Sequence, residues 1–155
     1  MDIGIRRKKV LVISSFEESI KRQWKRKEEI SRWESGKLPY FELKTYQMIQ
    51  TQCGNKCGFS SWFDAFDKIN EDIMGIDFDV AIVGAGAYGL PLSANIKRAG
   101  KSVIELCGLT PFMFGIVGQR HIDQGMLAEF GTEAWIRPVE EKPEWYKNIE
   151  GGCYW

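Results

Sequence analysis

The chain has 155 residues, 44% apolar and 27% charged, which is enough for one domain with a core of useful size. Its 21 basic and 21 acidic residues balance to a formal net charge of zero, so no global field draws it to nucleic acid or to an anionic membrane. No apolar run approaches the roughly 18 residues of a membrane span. The block Val10–Ile13 behind Arg6-Arg7-Lys8-Lys9 is shorter than a signal-peptide core of about 7–15 residues, so the expected location is the cytoplasm.

The first element is a strand over Lys8–Ser15, KKVLVISS, whose unbroken apolar run suits a strand buried on both faces of a parallel sheet. A helix is predicted from Phe16 to Trp33, with Ser15 as its N-cap and Glu17 and Glu18 near its positive end. Phe16, Ile20 and Trp24 share one face of it, and the basic run Lys21, Arg22, Lys25, Arg26 and Lys27 reads as a solvated face. Gly36–Pro39 makes a turn. Tyr40–Met48 contains a second, less apolar strand expected near a sheet edge, and Thr51–Gly58 is a polar loop. Ser60 or Ser61 caps the next helix in a capping-box-like arrangement with Asp64. Trp62, Phe66, Ile69 and Ile73 line its apolar face, and Gly75 stops it.

The stretch Phe78–Leu106 then reads as strand, glycine-rich turn, helix and strand. Val80–Val83 is the strand. Gly84-Ala85-Gly86-Ala87-Tyr88-Gly89 spells G-x-G-x-x-G; Leu92, Ile96 and Ala99 follow at helical spacing; Gly100 sits where a helix C′ glycine belongs, and Val103-Ile104 open the next strand. Such a unit puts backbone N–H groups and a helix N-terminus at the carboxyl edge of a sheet, where a phosphate binds. Three readings of the glycines stay open: a dinucleotide site, another phosphate ligand, or a tight turn alone. Glu105 fits loosely as the acid about 20 residues on that a dinucleotide site uses, while the bulk of Tyr88 and the mid-chain position count against that site.

Gly108–Gly118, GLTPFMFGIVG, is expected to pack over the same edge as a short helix or loop. Arg120 could pair with a phosphate, and His121 follows it as either a site residue or a structural one. The tail Gly131–Trp155 is irregular and charged, yet rich in Trp and Tyr, so it is expected to dock on the body. Its acids Glu140, Glu141 and Glu150 are either bases or solvated charges. Asp77-Phe78-Asp79 resembles a metal-binding D-x-D but precedes its strand, which puts it at the amino edge, away from a ligand crevice. Cys53 and Cys57 form C-x-x-x-C with one histidine in the chain, which favours a reduced-thiol loop over zinc. Cys107 lies in no nucleophile motif.

GAGAYGLPLSANIKRAGKSVIELCG, the block FGIVGQRH, WIRPVEEKP and the ending EGGCYW together resemble the GT-D-type glycosyltransferase-like family of bacterial surface-polysaccharide proteins, and the upstream strands and helices fit the same pattern. The resemblance implies a Rossmann-like fold and a nucleotide-sugar donor with a glycan acceptor. By match to the motifs, Gly84, Gly86, Ala87, Tyr88 and Gly89 would form the nucleotide-facing turn, and Gly115, Gly118, Arg120 and His121 the second substrate-binding block. The family's acidic D-x-E metal motif lies ahead of the first strand and has no counterpart here. A divalent metal, Mn²⁺ or Mg²⁺, would therefore take its ligands from outside this chain, and a partner chain or a preceding half of a longer protein would cover the sheet edge.

The expected architecture is an α/β, Rossmann-like three-layer domain with a mainly parallel sheet of about four strands over 1–130, and a tail over 131–155 that docks on it. Three functions compete: a glycosyltransferase-like domain, a non-catalytic binding or assembly module, and an NAD- or FAD-binding oxidoreductase domain.

Overall fold

The computed structural model describes residues 4–30, 38–55 and 57–155. Four strands, β1 (Lys9–Ser14), β2 (Glu42–Gln47), β3 (Val80–Gly84) and β4 (Ser102–Glu105), form one sheet in the order β2-β1-β3-β4. Every pairing is parallel, with Val10 opposite Val80 and Val80 opposite Ser102. The helices are α1 (Glu17–Trp24), α2 (Lys27–Ile30), α3 (Trp62–Met74), α4 (Gly89–Arg98), α5 (Leu109–Met113), α6 (Gln119–Asp123) and α7 (Met126–Phe130). This is the expected Rossmann-like α/β architecture with three layers.

The central strands β1 and β3 are buried on both faces, which is why their sequences show no polar alternation. Leu11, Ile13, Ala81 and Val83 face α3 and α4, where they meet Ile69, Ile73, Leu92 and Ile96. Val10, Val12, Val80 and Ile82 face the other layer, where Ile20 of α1, Phe114 and Ile116 cover them. Right-handed crossovers account for this division. The chain leaves β1 toward β2 by way of α1, then returns across β1 to β3 by way of α3, so the two helices fall on opposite faces.

Local signals hold where the partners are close in sequence. Ser61 Oγ accepts the Asp64 N–H at 3.1 Å, and Gly75 follows the last turn of α3. Gly100, at φ +79°, ends α4 in a Schellman arrangement: its N–H donates to Lys97 O at 3.0 Å, and Lys101 N–H donates to Ile96 O at 3.2 Å.

The expected helix Phe16–Trp33 is divided. It breaks at Lys25–Arg26, and α2 then presents the Glu29 and Ile30 carbonyls to Thr132 Oγ1 and Trp135 Nε1 of the tail. Residues 31–37, which carry the end of that helix and part of the Gly36–Pro39 turn, lie outside the described residues.

Ser15 does not cap α1, a second correction. The first-turn N–H groups of that helix are satisfied from three separate elements instead. Ser14 Oγ accepts from Phe16 N at 3.1 Å, Gln47 Oε1 accepts from Glu17 N at 3.3 Å, and Glu140 Oε1 accepts from Ser19 N at 2.8 Å. The Ser19 hydroxyl also donates to Glu140 Oε2 at 2.5 Å while its oxygen accepts the Val139 N–H at 2.9 Å.

The tail therefore closes the fold as well as ending it. Ile116 and Ile136 form a parallel bridge, Glu140 clasps α1, and Trp155 buries its ring edge-on against Phe16 with centroids 5.4 Å apart. Ser19 is fully buried, so Glu140→Ala would orphan a buried donor. We expect the variant to lose about 1–3 kcal/mol of stability, read as a lower urea midpoint at unchanged slope. A loss below about 0.5 kcal/mol, the range of an ordinary surface substitution, would contradict this account of the cap.

Candidate functional site

The chain departs from β1 and β3 in opposite directions, so the loops behind these two neighbouring strands diverge and leave a crevice at the carboxyl edge. Ligands of open α/β sheets bind at such a switch point. Ser14 and Ser15 line it behind β1, Gly84 and Gly86 behind β3, and Cys107 and Gly108 behind β4. Trp145, Ile149, Tyr154 and Trp155 of the tail form the outer wall. Its volume is about 200 Å³, below the roughly 300–1,000 Å³ of small-molecule sites. It adjoins a wider groove of about 490 Å³ bounded by the end of β2, the loop beyond it and the tail. Ser15, Gln50, Trp145 and Trp155 belong to both.

The three glycines of G-x-G-x-x-G do three different things. A Cβ on Gly84 would stand 2.6 Å from Thr110 Oγ1 and 2.8 Å from the Cys107 carbonyl, so this glycine admits α5 against the strand end. A Cβ on Gly89 would collide with the Glu105 carboxylate. Gly86 alone faces open space, with nothing within 4 Å of its Cβ position and a φ of +52°. It begins a 3-10 turn, Gly86–Tyr88, that leads directly into α4. The first N–H groups of such a turn have no partner within it, and Gly86 and Ala87 are both exposed.

Tyr88 points the other way. It is buried, stacks on Trp62 at 4.8 Å and shares a 2.5 Å hydrogen bond with Thr51 Oγ1. It therefore props the turn from beneath and leaves the crevice side clear.

Two helix N-termini converge on the switch point, and they are not equivalent. That of α1 is filled by Ser14, Gln47 and Glu140. An incoming anion is left with the Gly86 turn, where backbone N–H groups and the dipole of α4 favour negative charge. Among the described residues no charged side chain lines the crevice itself.

Arg120 approaches the crevice from behind. Its guanidinium lies over the Tyr154 ring, 4.9 Å from the centroid, pairs with Glu150, and lies against Gly108. Gly118 passes directly under the tail, its Cβ position 2.7 Å from the Cys153 and Tyr154 carbonyls. Gln119 and Arg120 N–H groups donate to Trp155 O and Cys153 O at 3.3 and 3.0 Å. The FGIVGQRH block and the GGCYW ending are thus one unit, the second held on the N-terminus of α6 by the first.

Gly115 lies off the crevice, against Gln23 and Ile30 beneath α1 and α2. His121 also lies off it, buried against Phe112 with ring centroids 4.8 Å apart. Its Nδ1 accepts the Gly118 N–H at 3.1 Å. Burial, helped by the nearby Arg120 charge, lowers its pKa below the ordinary 6.5, against a smaller opposing effect of its hydrogen bond with the Gly108 backbone.

Cys107 rims the crevice. Burial and the Glu105 carboxylate raise its pKa, so it stands as a thiol rather than a nucleophilic thiolate at neutral pH. Asp77 and Asp79 sit at the amino edge, paired with the Lys9 ammonium at 2.5 Å and the Lys9 N–H at 2.8 Å. Among the described residues no group of three or more His, Cys, Asp or Glu side chains stands together as a metal site, and no helix is long and apolar enough to cross a membrane. The described residues thus do not by themselves fit a divalent metal.

No protein-family model, no curated protein and no solved structure matches this chain. The tail wall and Gln50 escape motif reasoning; the aromatic density of Trp145–Trp155 is the one signal in the sequence that points to them.

His121 supplies a pH test. Because its folded pKa lies below 6.5, the unfolded chain binds more protons in acid, and stability falls as pH drops below about 6.5, by at most about 1.4 kcal/mol per pH unit. We expect His121→Gln to remove that part of the slope in urea titrations between pH 7 and 5. An unchanged slope would contradict a buried, neutral imidazole.

Proposed function

We propose that this chain is a nucleotide-sugar-binding domain of the glycosyltransferase type, acting in bacterial surface-polysaccharide synthesis. The observation that carries the reading is the open Gly86 turn at the switch point between β1 and β3, beside a crevice whose far wall is aromatic. A diphosphate would lie on the Gly86 and Ala87 N–H groups at the positive end of α4. The crevice opens into the adjoining groove, so the transferred sugar would face it. In the transfer step the acceptor hydroxyl oxygen bonds to the anomeric carbon. The anomeric carbon–oxygen bond to the diphosphate breaks, the hydroxyl proton passes to a base, and the nucleoside diphosphate leaves with the bonding pair.

One observation favours the dinucleotide reading. Glu105 ends β4 opposite Val83, with its carboxylate against Gly89, the position from which an acid addresses a ribose diol. A binding module without catalysis would fill the turn with the protein's own groups. That description suits Gly84 and Gly89 but not Gly86.

Thermal unfolding separates the three. UDP, GDP or dTDP sugars at a hundredfold excess over Kd should stabilise the protein by about 2.7 kcal/mol, raising Tm by roughly 5–10 °C, equally in EDTA and in Mn²⁺. NAD⁺ should give no shift. Gly86→Asn, which suits a left-handed backbone but fills the open space, should lower affinity at least tenfold with little change in the ligand-free Tm. Protection by NAD⁺ alone would favour the oxidoreductase class, and none by any nucleotide would leave a binding module.

A further inference from the structure

Trp145 is the exception among the described tryptophans. Trp24 stacks on Phe41, Trp62 on Phe66 and Tyr88, and Trp135 and Trp155 meet Phe112 and Phe16 edge-on. Among the described residues the Trp145 ring meets no aromatic neighbour, and it is half-buried in the wall shared by the crevice and the wider groove. A large ring in a concave wall, with no aromatic partner among the described residues, offers a face for stacking.

The groove beyond it has a definite chemistry. Its described lining carries no Lys, Arg or His, but it contains the carboxylates of Glu140 and Glu141 and the carboxamides of Gln47, Gln50 and Asn55. Gln47, Asn55 and Glu140 already hold neighbouring groups in place. That leaves Glu141, exposed at the rim, and the Gln50 amide, whose Oε1 accepts only a long 3.5 Å bond from Gln52 Nε2. Acids with no counter-cation among the described lining residues repel phosphate and carboxylate. Aromatic faces flanked by carboxylate and amide acceptors suit the apolar face and the hydroxyls of a neutral sugar ring.

We infer that this groove binds a neutral sugar stacked on Trp145, with Glu141 and Gln50 accepting its hydroxyls, and that it is the acceptor side of the site. The acceptor role rests on the donor reading given above; sugar binding itself does not.

Two-dimensional ¹H–¹⁵N spectra of the whole chain test it, with a panel of neutral disaccharides (lactose, maltose, cellobiose, chitobiose), the anionic sialyllactose, and UDP. Neutral disaccharides should shift the Trp145 indole N–H and the Gln50 amide. Sialyllactose should bind at least tenfold more weakly. Trp145→Ala should weaken disaccharide binding at least tenfold and Trp145→Phe less, while Glu141→Gln should narrow the gap between neutral and anionic sugars. UDP should move Gly86 and Ala87 in the wild type and in Trp145→Ala alike. If no disaccharide in the panel moves Trp145, or if UDP moves it and its loss abolishes UDP binding, the sugar groove is overturned, whatever happens at Gly86. If disaccharides move Trp145 while UDP leaves Gly86 unmoved, the groove stands and the donor reading fails.

Discussion

The site depends on one topological constraint. Parallel strands joined by right-handed crossovers cannot run to both sides of β1 without placing α1 and α3 on opposite faces. The loops behind β1 and β3 must then part, and the carboxyl edge opens between them. Everything else at that edge settles what occupies the opening. Glu140 and Gln47 close the N-terminus of α1, Thr110 closes over Gly84, and the aromatic end of the tail walls the outside. The Gly86 turn is what they leave free.

The tail is consequently part of the wall of that opening. Its clasp at Ser19 and its seat on the N-terminus of α6 fix both ends of the segment between Glu140 and Trp155, and that segment carries Trp145 across the opening. Arg120, a candidate phosphate ligand from sequence, stacks on Tyr154 and pairs with Glu150 of that same segment. In this arrangement it positions the tail, with its guanidinium one layer behind the crevice.

Much of the fold was legible in the chain. β1 and β3 announce themselves because strands buried on both faces are continuously apolar, and α3 because its cap Ser61 and its stop Gly75 are local. The capping of α1 was not legible, since its acceptor Glu140 lies 121 residues from Ser19. The site was half legible. G-x-G-x-x-G located the right turn, but one letter stands for a close approach to α5, a contact with Glu105 and an open left-handed position, and only the neighbours tell these apart. His121 beside a glycine-rich block pointed to the edge, yet the imidazole turns inward and hydrogen-bonds Gly118. The pairing of FGIVGQRH with GGCYW needed the fold, because no local period links segments so far apart in sequence.

The central claim is that the switch-point crevice, walled by the tail, is where this protein meets its ligand. Hydrogen exchange followed by mass spectrometry, with and without a saturating UDP-sugar, tests it most directly. The account predicts slowed exchange in peptides covering Gly84–Gly89 and Trp145–Trp155 together, with no change at the amino edge around Asp77–Asp79. Protection confined to the amino edge, or to the glycine turn with the tail unaffected, would contradict it.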